Sequence, residues 1–309
     1  MKILLVAWNR LGNIKKGNWN HELFRRELAR QHDVIFFGVG YDGYDKNLTV
    51  TDVINNNPGI DIVLTHFEHR DKALAKGLED VRGVPMVHIC GDYDPKTFRG
   101  YNYHFNKVKY DIIFGPMGQV VRDLNKNGIR GKHFLLPYAV DTNYFYDQHL
   151  EKTVDVMIAI QEHKNSTRHK NRQVLKSLVA NMDGINSFIG NVWFEEYVKK
   201  INESKIFCTS NIAYKQLSGK YSEVLACGSF LLTTRPEDLE ELGYKPGYHL
   251  VLYKDDFSDF EDKIRYFLKN ENEREEIAKN GMEFVRKNHS SEIRVKQFIE
   301  IVEKELYGR

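Results

Sequence analysis

The segment Gly219-Lys220-Tyr221-Ser222-Glu223-Val224-Leu225-Ala226-Cys227-Gly228, followed at once by the apolar run SFLLTT, carries the residues best suited to chemistry. Gly219 or Ser222 can cap a short helix whose first turn holds Lys220 and Glu223, and Gly228 supplies the left-handed residue that ends it. A helix start presents N–H groups and partial positive charge to an anion, and Lys220 adds a full charge, so the spacing predicts a phosphate site. Glu223, about one turn further in, is placed to accept two hydrogen bonds from vicinal hydroxyls such as those of a ribose. The same spacing also fits an ordinary helix start, with Glu223 favouring the helix dipole and Lys220 solvated.

Further cations gather at Lys164, Arg168, His169, Lys170 and Arg172, directly after the apolar run at 154–160. A loop leaving a strand there points at a ligand, and the Arg168 and Arg172 guanidiniums can each engage two phosphate oxygens. A solvated surface loop is the plain alternative. Asp92-Tyr93-Asp94 could hold a divalent cation, orient a hydroxyl, act as a general base or merely cap a helix before Pro95; we expect no metal. The polar loop 9–18 contains Gly12, Asn13, Lys16 and Gly17, and its glycines let backbone approach a ligand closely, although it is not a dinucleotide fingerprint. His66-Phe67-Glu68-His69 with Asp71 lacks the spacing of a metal site, and His88 reads as a core histidine. Cys90, Cys208 and Cys227 lie in apolar runs and read as buried free thiols of a reducing compartment.

Positioning these groups needs a scaffold, and the apolar pattern supplies one. Runs at 2–8, 33–39, 61–66, 85–90, 111–115 and 132–137 alternate with stretches of helical spacing, among them 20–31 and 71–81. Near-continuous apolar strands alternating with helices indicate a parallel sheet covered on both faces. The polar and aromatic segment 141–153 interrupts the pattern. It then restarts with strands at 154–160, 186–190, 205–209, 229–234 and 249–253 and helices at 171–181 and 220–227. Three helices close the chain: 257–268 with Phe257, Phe260, Ile264 and Phe267 on one face, a middle one that tolerates Gly281, and 295–306. The expected domains are residues 1–145 and 146–309, both Rossmann-like α/β units facing across a cleft, with the last helix, about 292–307, packing back on the first. The length of 309 residues accommodates two domains. The 41% hydrophobic and 28% charged composition excludes coiled coil, collagen and wholesale disorder, and a net charge of +2 lacks the excess of a nucleic-acid coat protein. No run approaches the length of a membrane span, so the expected location is cytoplasmic, at most peripheral to a membrane.

Residues 220–297 resemble the C-terminal part of group-1 glycosyltransferases of the GT-B superfamily, most of all the subgroup named after spore-maturation proteins: a basic residue, an aromatic, any residue, Glu, a small-residue helix ending in Cys-Gly, then an apolar strand. Pro137-Tyr138-Ala139-Val140-Asp141 through Phe145 resembles the family's interdomain strand and turn, and Asp92-Tyr93-Asp94-Pro95 the motif after its fourth strand. The resemblance implies transfer of a sugar from a nucleotide donor on the C-terminal domain to an acceptor on the N-terminal domain. It implies that Glu223 binds the donor ribose and Lys220 the diphosphate. The donor set is then Arg168, Arg172, Asn211, Lys220, Tyr221, Ser222 and Glu223, with Asp92 and Asp94 as catalytic candidates and Gly12, Asn13, Lys16 and Gly17 bordering the cleft. Retaining members often carry a second Glu eight residues before this one, where this chain has Lys215.

The expected activity is therefore a retaining, metal-independent glycosyltransferase with no tightly bound cofactor and a UDP-sugar as co-substrate. The acceptor is a glycan, a lipid-linked sugar, a small molecule or modified DNA. Two rivals are kept: an enzyme that glycosylates a modified DNA base, helped by a basic face from Lys15, Lys16, Arg25 and Arg26, and a non-catalytic binding protein of the same fold. The helix from Trp19 to Arg30 also has the composition of a membrane-surface helix, although a core-facing helix fits it better.

Overall fold

The computed structural model describes residues 1–9, 19–67, 75–91, 104–160, 170–210 and 215–309. Among these, one compact unit runs from Met1 to Pro137 and takes in Arg294–Arg309, and a second comprises Tyr138–Ile293.

Unit 1 is built on a six-stranded parallel sheet, ordered β2-β1-β3-β4-β5-β6. The strands are β1 (Lys2–Val6), β2 (Asp33–Phe37), β3 (Ile62–Phe67), β4 (Met86–Cys90), β5 (Ile112–Gly115) and β6 (Lys132–Leu135). All six fall on the expected apolar runs. Helices α1 (Trp19–Gln31), α2 (Val50–Asn56) and α3 (Gly118–Lys126) connect them. In α1, Leu23, Phe24 and Leu28 are buried, and Phe24 and Leu28 pack in the same core as Ile3, Leu5, Ile62 and Leu64. That burial fits the core-facing reading of α1. The last helix, α9 (Ser291–Tyr307), adds Val295, Phe298, Ile299 and Val302 to this core.

The helix expected over 71–81 is a correction. Its described part holds only a 3-10 turn, Leu78–Asp80, because Gly77 precedes it in the left-handed region at φ 81° and Gly83 follows at φ 76°. His88 is a core histidine as expected: its Nδ1 lies 2.7 Å from the Thr65 hydroxyl, which also donates to the Tyr110 hydroxyl at 3.1 Å. Burial holds His88 well below the ordinary imidazole range. It likewise lowers His104, 2.8 Å from the Tyr110 hydroxyl, to about 4.

Unit 2 carries a five-stranded parallel sheet ordered β11-β10-β9-β7-β8, from β7 (Val154–Ala159), β8 (Ser187–Gly190), β9 (Ser204–Cys208), β10 (Phe230–Thr233) and β11 (Val251–Leu252). Its helices are α4 (Lys170–Ala180), α5 (Phe194–Asn202), α6 (Lys220–Ala226), α7 (Phe260–Lys269) and α8 (Glu271–Asn288). Phe257 was expected on the face of α7 but precedes it, at φ 63°. Asp256 accepts from the Ser258 N–H and Asp259 from the Lys254 N–H, so a local turn holds these residues before the helix begins. The three cysteines are buried and free, and burial raises each thiol above its ordinary range.

One glycine decides where α6 sits. Gly281, in the middle of α8, faces α6 and the backbone of His249. A Cβ there would overlap the His249 carbonyl oxygen and lie 2.7 Å from Leu225 Cδ2. Gly281 is thus required by close approach rather than tolerated. Gly281→Ala should cost about 1–3 kcal/mol of stability by overpacking, read as a lowered urea midpoint with unchanged slope. An unchanged midpoint would show that α8 can move away freely.

Candidate functional site

In unit 2 the chain changes its direction of winding beside β7, because β8 and β9 lie on its opposite sides. Ligands of open parallel sheets bind off the carboxyl ends of the strands at such a point. Helix α6 supplies charged groups to this place. Gly219 is its N-cap, as expected, but no side chain caps it; Ser222 lies inside the helix, and the Glu223 N–H donates to the Gly219 carbonyl at 3.0 Å. Gly228 follows the helix at φ 66°, also as expected.

From this start Lys220 reaches across to β7, where its ammonium donates to the carbonyl of Ala159 at 2.6 Å. Glu223 is only 2% exposed and accepts a hydrogen bond from the Tyr197 hydroxyl at 3.1 Å. Arg172, in the first turn of α4, is buried and lies near enough to both Lys220 and Tyr197 to act on their ionisation. Burial, then the Arg172 guanidinium, pull Lys220 well below the ordinary lysine range, and Glu223 opposes that fall. Burial first and the Glu223 charge second push Tyr197 up, which keeps its hydroxyl a proton donor. Two cations and one carboxylate are thus gathered at one place, and an arriving anion meets a preorganised positive charge.

The neighbours on α6 fix the helix in place. The Tyr221 hydroxyl lies 2.6 Å from Thr233 Oγ1 and donates to the Thr234 carbonyl at 3.1 Å, while Ser222 Oγ is 3.0 Å from the Tyr244 hydroxyl. These bonds tie α6 to the end of β10 and to Tyr244. Lys215 is exposed in a left-handed conformation, with its ammonium 3.5 Å from Asp255.

Of the expected donor residues the structure therefore brings Arg172, Lys220, Tyr221, Ser222 and Glu223 together in one unit. Asp92, Asp94, Arg168, Asn211, Gly12, Asn13, Lys16 and Gly17 lie outside the described residues, as do Lys15, Lys164, Glu68, His69 and Asp71. Tyr197 escaped the sequence reading. Its signal was present: Phe194, Tyr197, Val198 and Ile201 form the buried stripe of α5, and a tyrosine on such a stripe needs a partner for its hydroxyl.

Unit 1 shows a comparable arrangement beside β1, flanked by β2 and β3. Arg25 donates to the Trp8 carbonyl at 2.8 Å and to the His66 carbonyl, and it pairs with Glu22 at 3.3 Å. His21 Nδ1 lies 2.8 Å from His66 Nε2. Arg25 is only 3% exposed, which corrects its placement on a solvent-facing basic surface. Removing the Tyr197 hydroxyl strips a donor from a buried charge, so Tyr197→Phe should destabilise by about 1.5–3 kcal/mol. In a Glu223→Gln background the same change should cost much less, as a double-mutant cycle by urea unfolding would show; equal costs would mean that the two groups do not interact.

Residues 167–300 match the family model described as Glycosyl transferase-like. None of the curated proteins compared matches the chain. Among solved structures, HepE of Anabaena in complex with UDP superposes with a TM-score of 0.69 at 12% identity, over 98% of this chain and 100% of that one. Sucrose-phosphate synthase of Thermosynechococcus elongatus gives 0.68 at 10% identity, over 100% of both chains. An α-glucosyltransferase in complex with UDP and a 13-mer DNA containing a HMU base gives 0.66 at 10% identity, over 98% of this chain and 99% of that one. At such low identity these likenesses establish the fold, which is the α/β GT-B fold with its two parallel sheets. With a glycosyltransferase-like domain at 167–300 in that fold, the chain is a transferase.

Proposed function

We propose that the chain transfers a sugar from a UDP-sugar to a hydroxyl-bearing acceptor, with the donor held by unit 2. The observation that carries the reading is the buried Glu223 carboxylate, held by Tyr197 within a setting that also contains Lys220 and Arg172, beside the strand where the winding reverses. HepE binds UDP and UDP-glucose in its complexes, which supports UDP as the nucleotide. Glu223 accepts hydrogen bonds from the two ribose hydroxyls, while Lys220 and Arg172, with Arg168 and Asn211, engage the diphosphate and sugar. Tyr221 and Ser222 support this set by holding α6 in place.

As the bond between the anomeric carbon and the diphosphate oxygen breaks, the electron pair leaves with the diphosphate. The ammonium of Lys220 and the guanidinium of Arg172 stabilise that charge where it develops. Fixed cations in this role suit a metal-independent reaction. Asp92 and Asp94, which follow β4 in the sequence, orient the acceptor hydroxyl or the donor sugar, or take the hydroxyl proton. Gly12, Asn13, Lys16 and Gly17 border the bound substrates. We assign retention of the anomeric configuration, and membership of the spore-maturation-like subgroup, on the pattern of the Lys220–Gly228 segment. A glycan, a lipid-linked sugar or a small molecule fits the acceptor better than duplex DNA, because Arg25 is buried and contributes nothing to a basic surface.

Titration calorimetry with UDP tests the donor site. Glu223→Ala and Lys220→Ala should each weaken binding by about 10- to 100-fold, the loss of a hydrogen bond to a charged group. Failure of UDP and other nucleoside diphosphates to bind, or binding unchanged in both variants, would overturn the assignment. With an active donor and acceptor pair, transfer should persist in EDTA and NMR should show a product with the donor's anomeric configuration; loss of activity in EDTA or an inverted product would contradict the respective assignment.

A further inference from the structure

Unit 1 holds a cavity of about 340 Å³ between α1 and the turn after β2, lined among others by Asn9, Glu22, Arg26, Phe36, Tyr41 and Asp42. Its lining residues belong to unit 1, on elements other than those that hold Glu223. The wall formed by the turn is fixed by construction. The Asn9 N–H donates to the Val39 carbonyl at 2.9 Å, and Asn9 Nδ2 donates to the Gly40 carbonyl at 2.8 Å. Gly38 and Gly40 adopt φ of 149° and 88°, and a Cβ on Gly38 would overlap the Ala7 carbonyl oxygen. The sequence Gly38-Val39-Gly40-Tyr41-Asp42 therefore brings the turn directly against the end of β1.

The same turn presents an aromatic surface. The Tyr41 ring stacks on Phe36 with centroids 4.8 Å apart and planes inclined by 28°. Behind it, the Arg25 guanidinium lies 3.5 Å from the Tyr41 hydroxyl and 3.3 Å from the Glu22 carboxylate, and donates to the Trp8 carbonyl. Burial, foremost, raises the Tyr41 hydroxyl above its ordinary range, so it is a neutral hydrogen-bonding group. Charges of both signs ring this surface. Glu22, Arg26, Arg30 and Asp42 line the cavity, with Glu22 paired with Arg25 and Arg30 paired with Glu27 at 2.8 Å.

A ligand suited to these walls has an apolar ring face for the aromatics and groups around its edge that both donate and accept. The balance of charge disfavours a strongly anionic ligand. We propose that this cavity binds one neutral sugar ring, a monosaccharide or the end of a glycan. The proposal rests on the reading of the chain as a sugar transferase and adds a saccharide-binding place on unit 1.

Saturation-transfer NMR with the methyl glycosides of glucose, galactose, mannose and N-acetylglucosamine tests it, with adenosine as the flat-base control and a trisaccharide of the best binder to separate a free sugar from a glycan end. At least one glycoside should receive saturation on its ring protons, and Tyr41→Ala and Asp42→Ala should each weaken its binding about tenfold while UDP binding stays unchanged. Asp42 is exposed, so its variant keeps the test valid if Tyr41→Ala does not fold. Saturation of none of the four glycosides, unchanged binding in Asp42→Ala, or adenosine binding that Asp42→Ala abolishes would overturn the proposal. Loss of UDP binding by the wild-type protein with glycoside binding intact would count against the donor site alone.

Discussion

A carboxylate taken out of water stays charged only if donors or cations compensate it, and otherwise takes up a proton; Glu223 is such a buried group. The first helical turn of α6 can hold it only if a donor and cations reach it inside unit 2. Tyr197 comes from α5, Arg172 from α4 and Lys220 from α6 itself, so three helices depend on one charge. The remaining contacts of α6 serve the same end. Tyr221 ties it to Thr233 and Thr234, Ser222 approaches Tyr244, and Gly281 lets α8 press against it.

The two units treat the reversal of winding in related but unequal ways. In unit 1 the Arg25 guanidinium closes the ends of β1 and β3 by donating to the Trp8 and His66 carbonyls, and Glu22 balances its charge. In unit 2 Lys220 donates to the Ala159 carbonyl at the end of β7, with Arg172 near it and Glu223 as the counter-charge. The first arrangement is neutral and locked. The second keeps an excess of positive charge, which suits an anion, while burial first and the Arg172 guanidinium second lower the proton affinity of the Lys220 amine.

How much of this was readable in the sequence follows from the range of the interactions involved. Parallel strands buried on both faces are written as near-continuous apolar runs, so all six strands of unit 1 and the five of unit 2 lie on runs that the pattern marks. Lys220 and Glu223 were visible because helix spacing is a local property. Tyr197 was not, because its partner is 26 residues away and only the fold joins them. Arg25 was misplaced for the same reason: a cation on an amphipathic helix looks solvated until two distant carbonyls claim it. The helix expected over 71–81 ignored Gly77, whose left-handed backbone favours a short turn. The turn at Gly38–Asp42 carries its glycines openly, but the close approach that requires them is set by β1, 31 residues earlier in the chain for the Asn9 contact with Gly40.

We propose that Lys220 is a cation kept for an anion, the diphosphate of the donor. Burial and Arg172 lower its proton affinity in the free protein, so part of the population is neutral at pH values below the ordinary lysine value of 10.5. A bound diphosphate reverses that fall, and binding must then take up a proton; affinity for UDP must weaken as pH rises and Lys220 loses its charge. The decisive measurement is the calorimetry of UDP binding in two buffers of different ionisation enthalpy, at about pH 8 to 9, where the diphosphate is already fully ionised. Net proton uptake by the wild-type protein, abolished in Lys220→Arg while binding persists, is the predicted result. Binding of UDP with no proton uptake, or with uptake unchanged in Lys220→Arg, would contradict it.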